Sequence, residues 1–527
     1  MIFPSLYNVA RKLSKRLFLL FGVAGAAFLV TDAQAQQRQV NILNASRIVG
    51  GTYEGEQVRR ILNEVHLRHG DLEMYCDSAY QFIDKSEIRA FGNIEIDTGE
   101  EIIWTDSLNY YTDVDFSELR GRVIIDADST IIFGNSVDYR FSTKVAHFID
   151  QIRLEDQRGV LRADSGYYYR SADSVRFHGQ VQLTDSLQYL EGDSLFSNRS
   201  KDYYEIHGQI FGDDQENNTM LQGAYLEADS TGRRLLEGDD AWLINFEADT
   251  SDTTQSADTT HIRAQTIISR EHRYPTDTTI VTHAYENVRV WSPSFASLSD
   301  TTQYSDSTQT FELWSNAKAW HDNVQLTGPY IKAILKDGDI DSLQSYPQPF
   351  SVQKDTTIDR LNQITGDTLT AGFTEGNLSE IFVFNNAKLL RFTKNQQNES
   401  DGAIELSAPT IRILFEDGEL VRMIANGSNK GSFFPESEET AQRKLEGFVW
   451  NPDLRPQKPA EPMESRFPTI PEELFFELPE RYIEHLRKTH PESPRLPKNN
   501  ENNIDTDENI EVEPEAPDED STATTTD

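Results

Sequence analysis

The sequence predicts an all-β chain of stacked two-strand repeats, folded over into two facing layers with a V-shaped section. Three observations predict this. An Asp-Ser or Asn-Ser pair opens successive units at Asp77, Asp106, Asn135, Asp164 and Asp193, each 29 residues beyond the last. A second mark keeps the same step, at Gly92, Gly121, Asp150, Gly179 and Gly208. Around that mark apolar residues alternate with polar ones, as in Ile88, Ala90, Gly92, Ile94, Ile96 against Arg89, Asn93, Glu95. Period-two alternation describes a strand with one dry and one wet face. A fixed period of this size describes units that stack to bury a shared core.

Residues 1–35 read as a secretory signal peptide. Arg11, Lys12, Lys15 and Arg16 form the basic start, Leu17 to Val30 the apolar run, and Ala33-Gln34-Ala35 the cleavage site, with the cut after Ala35. The run is short for a membrane span. The expected location is the periplasm, with association to the outer membrane as an option. Residues 36–245 hold the regular repeats, led in by strands at 41–44 and 65–69. Residues 246–262, polar and poor in apolar residues, read as an insertion loop. Residues 263–432 read as a second, degenerate set of β repeats, punctuated by Asn-Val or Asn-Ala at Asn287, Asn316 and Asn386. The units number about 11, which at ~4.8 Å per rung gives a stack of roughly 50 Å.

Residues 433–490 form an aromatic, Pro-rich closing segment and a short helix. The helix is expected over 471–490, where Leu474, Leu478, Tyr482 and Leu486 recur at helical spacing and Pro479 kinks or splits it. Residues 491–527 read as a disordered acidic tail.

Glycine at one point of every unit implies a bend at one level of every rung, because mid-strand glycine weakens a strand unless it bends or is closely approached. The Asp-Ser pairs read as turn punctuation, each Asp accepting from backbone amides two residues on. A catalytic acid pair is unique within a chain, and this column repeats.

The chain carries 87 acidic and 49 basic residues, a formal charge of −38, and 11 of the acidic residues lie after residue 498. That charge argues against nucleic acid as a partner, since binding a phosphate backbone needs Lys and Arg to displace counterions. The single cysteine, Cys76, builds no disulfide and no thiolate cluster, and sits in a strand as an inert thiol. His178 and His207 lie 29 residues apart and would stack on adjacent rungs, more readily as surface neighbours than as metal ligands. No phosphate loop, Gly-x-Ser-x-Gly or His-Glu-x-x-His motif occurs. No enzyme activity, cofactor or metal is expected.

The dry face remains. It comprises Ile88, Ile94, Ile96, Leu108, Leu119, Val123, Ile125, Val137, Ile152, Leu154, Val175, Phe177, Val181, Leu183, Leu195, Ile206 and Ile210. In a closed stack these residues are core. In an open V they line a continuous apolar groove for acyl chains, with Tyr110, Tyr139 and Tyr168 near its mouth. Such burial is worth about 25 cal/mol per Å² of apolar surface.

Ala163-Asp164-Ser165-Gly166-Tyr167-Tyr168 with His178-Gly179-Gln180-Val181-Gln182-Leu183, and Thr105-Asp106-Ser107-Leu108-Asn109-Tyr110 with Arg120-Gly121-Arg122-Val123, resemble the units of the organic-solvent-tolerance, LptA-type (OstA-like) family of Gram-negative bacteria. The resemblance spans 40–245 and weakens towards 430. The long array is similar to OstA-like proteins of the Bacteroidota type. It implies a V-shaped β-jellyroll that conveys lipopolysaccharide, or a related acylated glycolipid, across the periplasm in support of outer-membrane assembly. The partners it implies are the outer-membrane translocon, inner-membrane export components, and further copies of the chain joined head to tail. The chain departs from the family in its length, in lacking a train of membrane strands, and in its closing segment, helix and tail. A lipid-free envelope scaffold and a polysaccharide-active β-helix enzyme stand as the alternatives.

Overall fold

In a computed structural model the described residues are 39–496, apart from 128, 247–258, 274–277, 337–338, 417–418, 461–462, 472 and 494. The expected signal peptide, most of the insertion loop and nearly all of the acidic tail lie outside them. Among the described residues thirty strands form one antiparallel sheet. From Glu56–His69 onward the chain is a meander in which each rung pairs with the rungs before and after it. Some rungs are split at the bend into two strands, as where Val145–Asp150 pairs with Ser165–Tyr169 and Ile152–Asp156 with Gly159–Ala163. The sheet continues without a break past residue 246, because Arg233–Phe246 pairs in register with Thr259–Arg273. Residues 259–262 therefore belong to a strand and not to the insertion loop.

Every rung bends where the sequence marks fall. Gly92 and Asn93 both have left-handed backbone (φ +76° and +45°), as do Gly121 with Arg122 and Gly179 with Gln180. Two such residues in succession interrupt the ladder, and the register slips between Phe91 and Ile94. In the later rungs Glu286-Asn287, Ser315-Asn316 and Asn385-Asn386 take the same conformation. Asparagine is among the few side chains that tolerate it. Asparagine holds the second bend position in these rungs as Asn93 does in an early one, while Glu286, Ser315 and Asn385 stand where Gly92 does.

The bend folds each strand back over itself into a first arm (such as 87–92) and a second arm (94–97). A straight strand of 11 residues would hold its two end turns ~36 Å apart. Instead Lys144, in a turn at the end of the first arm, lies 2.6 Å from Glu100, in a turn at the end of the second. The turns at 83–86, 112–115, 141–144, 170–173 and 199–202 form one lip of the V. Those at 70–71, 98–101, 157–158 and 185–187 form the other.

Each 29-residue unit supplies two strands to each arm, since the chain crosses the V twice per repeat. About 11 units therefore make a stack of about 100 Å, twice the height expected when each unit counts as one rung.

The first arm keeps a wet outer face, and the second arm keeps it only in part, as at Arg68 and Arg289. On the second arm the outer face carries Trp104, Ile124, Phe133, Trp242, Val352 and Phe392, all buried. The segment 437–496 covers them as a strap that runs back along the whole stack. It opens with a helical turn, Glu438–Ala441, capped by Ser437. It then meets Phe350 and Val352, next Trp242 and Ile244 through Met463, and finally Trp104, Ile124 and Phe133 through Tyr482 and Leu486. The strap is mostly irregular, and side chains of the sheet satisfy its backbone. Gln363 accepts from the Leu445 amide at 2.8 Å, Gln325 from Asn451 at 2.8 Å, and Glu191 from Arg466 at 2.9 Å, while Gln182 donates to the Pro468 carbonyl at 2.8 Å. All four side chains lie buried, Gln182 among them although the alternation of its strand puts it on the polar face. Each of these bonds contributes about 0.5–1.5 kcal/mol net to docking of the strap. The helix runs over Glu480–Thr489, starting directly after Pro479. Pro479 cannot continue a helix from 471, so the first turns of the expected helix do not form.

Candidate functional site

The interior between the arms is one hydrophobic cluster reaching from Ile61 to Phe415. Ile88, Leu108, Leu119, Val137, Val175, Phe177, Leu195 and Ile206 enter it from the first arm. Ile94, Ile96, Val123, Ile125, Ile152, Leu154, Val181 and Ile210 enter it from the second, and all sixteen are buried. Leu183 packs against the cluster and is half-buried. The predicted face is thus brought together completely, as a filled interior in which the two arms pack on each other. The later rungs extend it with Ile262, Val290, Leu313, Ala333, Val383 and Ile411, which sequence reading left out although they follow the same alternation. An internal void lined by Leu326, Leu343, Leu369 and Ile381 measures about 20 Å³, space for about one water.

The acidic column serves the bends. Asp77 accepts from Asn93 Nδ2 at 2.9 Å, Asp106 from Arg122 Nε at 2.9 Å, Asp164 from Gln180 Nε2 at 3.4 Å and Asp193 from the Gln209 amide at 3.2 Å. The partner is the residue after the left-handed glycine, across the strand, and not the amide two residues on. In the unit where Asn135 replaces Asp, Asp150 replaces Gly. The carboxylate then sits on the opposite strand and accepts from the Ser136 amide at 3.0 Å and hydroxyl at 3.1 Å. Glycine is required at the bend by space as well as by φ, since a Cβ at Gly121 would lie 2.7 Å from an Asp106 oxygen.

The remaining candidates separate. Cys76 is buried, and burial pushes its thiol up to about 12. His178 and His207 both face Ser194 from opposite sides, so a whole strand lies between them. No group of His, Cys, Asp and Glu among the described residues could hold a metal ion.

The mouth of the V is polar and partly open. Tyr110, Tyr139 and Tyr168 are buried at its edge. Tyr110 donates to Asp115 at 2.7 Å and meets His69 at 2.6 Å, and Tyr139 donates to the buried Glu101. Burial raises the Glu101 carboxyl above the usual range, opposed by its bond to Tyr139 and by Arg170. Burial also raises the Tyr168 hydroxyl to about 12. Ion pairs cross the mouth, among them Lys144–Glu100 at 2.6 Å, Arg199–Asp156 at 3.0 Å and Arg234–Asp214 at 3.4 Å. Two cavities open between the lips. One, of about 700 Å³, lies among His69, Glu100, Glu101, Tyr139, Phe141 and Lys144. The other, of about 280 Å³, has Leu154, Leu161, Val175, Leu183 and Leu190 below Arg158 and Arg199. The facing lip residues, such as Lys144 and Glu100, come together only because each rung folds over.

No helix among the described residues is long and apolar enough to cross a membrane. No curated protein matches the chain. Among solved structures the chain is similar to LptH from Pseudomonas aeruginosa, described as the LptA-homologous periplasmic component of a conserved lipopolysaccharide transport device. The identity is 15%, the match covers 22% of this chain and 74% of LptH, and the TM-score is 0.18, too low to carry weight for the fold. The OstA-like protein family matches residues 37–193, the lead-in strands and the regular rungs with their Asp–Gly bends. Over those rungs the chain is similar to the OstA-like protein family.

Proposed function

We propose that the protein is a non-catalytic carrier of the bacterial envelope that holds the acyl chains of lipopolysaccharide, or of a related acylated glycolipid, between its arms and passes them along the stack. One observation carries this reading: a single apolar cluster runs between the arms from Ile61 to Phe415, broken by hydroxyl side chains mainly at Ser297, Ser299 and Thr302. The OstA-like match over residues 37–193 supports the substrate class. The proposed setting is the periplasm after removal of residues 1–35. Partners would be translocon or export components at the two ends, or further copies of the chain. In the lipid-free state the arms pack on each other, so loading must part them. Acyl carbon then replaces side-chain carbon, and little apolar surface is exposed on balance.

The filled interior also favours a second reading, a lipid-free scaffold. Photo-crosslinkers at Ile94, Val123 and Val181 in the living cell separate the two. The carrier reading expects adducts with acylated glycolipid from these positions and none from Glu95 on the outer face. Adducts from Glu95 alone would leave the scaffold.

A further inference from the structure

We propose that the basic side chains of the first lip are the seat of an anionic lipid headgroup, which takes them over from the carboxylates of the second lip when the arms part. This rests on the acyl-carrier reading and adds to it a polar site and a route of entry.

Four cross-mouth pairs have the same polarity. Lys144, Arg170, Arg199 and Arg234 stand on the first lip. Glu100, Glu101, Asp156 and Asp214 face them from the second, at 2.6, 3.9, 3.0 and 3.4 Å respectively. An acyl chain entering from the mouth must separate every pair it passes. Each separation leaves a cation at the water boundary beside an apolar interior. A headgroup with phosphate or carboxylate oxygens fits that cation as the lost carboxylate did, with charge-assisted hydrogen bonds.

Arg199 shows capacity to spare. Its side chain is only 8% exposed; Nη2 meets Asp156 and Thr130, Nε lies 3.6 Å from Asp173 on its own lip, and Nη1 has no hydrogen-bond partner. It lines the cavity whose floor is Leu154, Leu161, Leu183 and Leu190. An apolar floor under a guanidinium complements an acyl chain below an anion. The protein as a whole is strongly acidic and repels anions, so attraction has to come from such local cations. Arg170 and Arg199 are one 29-residue repeat apart, hence two strands or ~10 Å along the lip. A headgroup can therefore be passed from one cation to the next as the chains move inside.

The test uses the full chain and three probes: a phosphorylated acylated glucosamine disaccharide, the same lipid with its phosphates removed, and inorganic phosphate. The proteins are wild type, Arg199→Gln, the paired change Lys144→Gln with Arg170→Gln, and Arg176→Gln on the outer face of the first arm as control. Wild type should bind the phosphorylated lipid about tenfold more tightly than the dephosphorylated one, a preference that salt weakens. The lip variants should lose that preference while keeping their affinity for the dephosphorylated lipid, and the control should match wild type. If Arg199→Gln fails to fold, the paired variant at half-exposed positions decides. Equal affinity of wild type for both lipids overturns the proposal and leaves the acyl reading standing. Binding of neither lipid overturns both. Full competition by inorganic phosphate alone overturns the headgroup and leaves a free-anion site.

Discussion

Glu100 and Lys144 are 44 residues apart in the chain and 2.6 Å apart across the mouth of the V. The contact exists because two different strands bend at the same level. It holds the lips at their exposed edge, where an ion pair is worth no more than about 1 kcal/mol. Glu100→Lys should therefore leave global stability within about 1 kcal/mol while repulsion from Lys144 loosens the mouth. Uptake of an apolar fluorescent dye should become faster, and adding Lys144→Glu should reverse the gain. Unchanged uptake in the single variant would show that the lips do not gate the interior.

Gly121 has φ +78° and sits against Asp106. Gly121→Ala should destabilise by about 1–3 kcal/mol, from backbone strain and the displaced carboxylate. Gly50, on an edge strand with nothing within 4 Å of an added Cβ, is the control and should change by less than about 0.5 kcal/mol. Urea unfolding of the two variants measures the difference. Equal effects would mean that the bend does not depend on glycine.

Tyr482 and Leu486 seat the strap helix on Trp104, Ile124 and Phe133. Changing both to Ala should cost about 3–5 kcal/mol of local docking energy. Amide hydrogens of 480–489 should then exchange freely and Trp104 emission should move to the red, while the sheet amides of the first arm keep their protection. Loss of protection throughout the stack would instead make the strap part of the folding core.

His261 lies under the strap, stacked on Trp242. Its Nδ1 accepts from the Trp242 indole at 3.2 Å and its Nε2 meets Thr259 at 3.0 Å, so the ring is held neutral. Burial, with Lys458 and Arg263 nearby, lowers its pKa from 6.5 to about 4. The unfolded chain takes up this proton first. Stability from this group is therefore complete above about pH 6.5 and falls as the pH drops from there towards 4. His261→Gln should flatten that part of a plot of melting temperature against pH, and an unchanged slope would remove His261 as its source.

The periodic marks were legible because each answers a local backbone demand repeated at every rung. Gly92 and Gly121 turn the chain, and Asp77 and Asp106 hold the turn. The exchange of Asn135 for Asp and Asp150 for Gly could be read as one carboxylate moving across a strand. The interior was legible from alternation alone, since Val123 and Val181 have only one face to enter. The height of the stack was not, because a period does not state how often the chain crosses the V within it. The strap was hidden for a different reason. Its backbone is irregular, and what binds it are side chains such as Gln182, Gln325 and Glu191, which in any strand read as solvent-facing. The lip pairs join residues with no shared period, so only the bend brings them together.

The central claim is that the arms part to admit acyl chains. The Arg158 guanidinium donates across the mouth to the Arg199 carbonyl at 3.3 Å, so the neighbouring exposed positions Gln157 and Ser200 lie on facing lips. Nitroxide labels at these two positions report the width of the mouth by electron–electron dipolar coupling. On loading with lipopolysaccharide the distance distribution should move to longer values and return when the lipid is removed. A distribution that stays unchanged while lipid is bound at full stoichiometry would contradict the account.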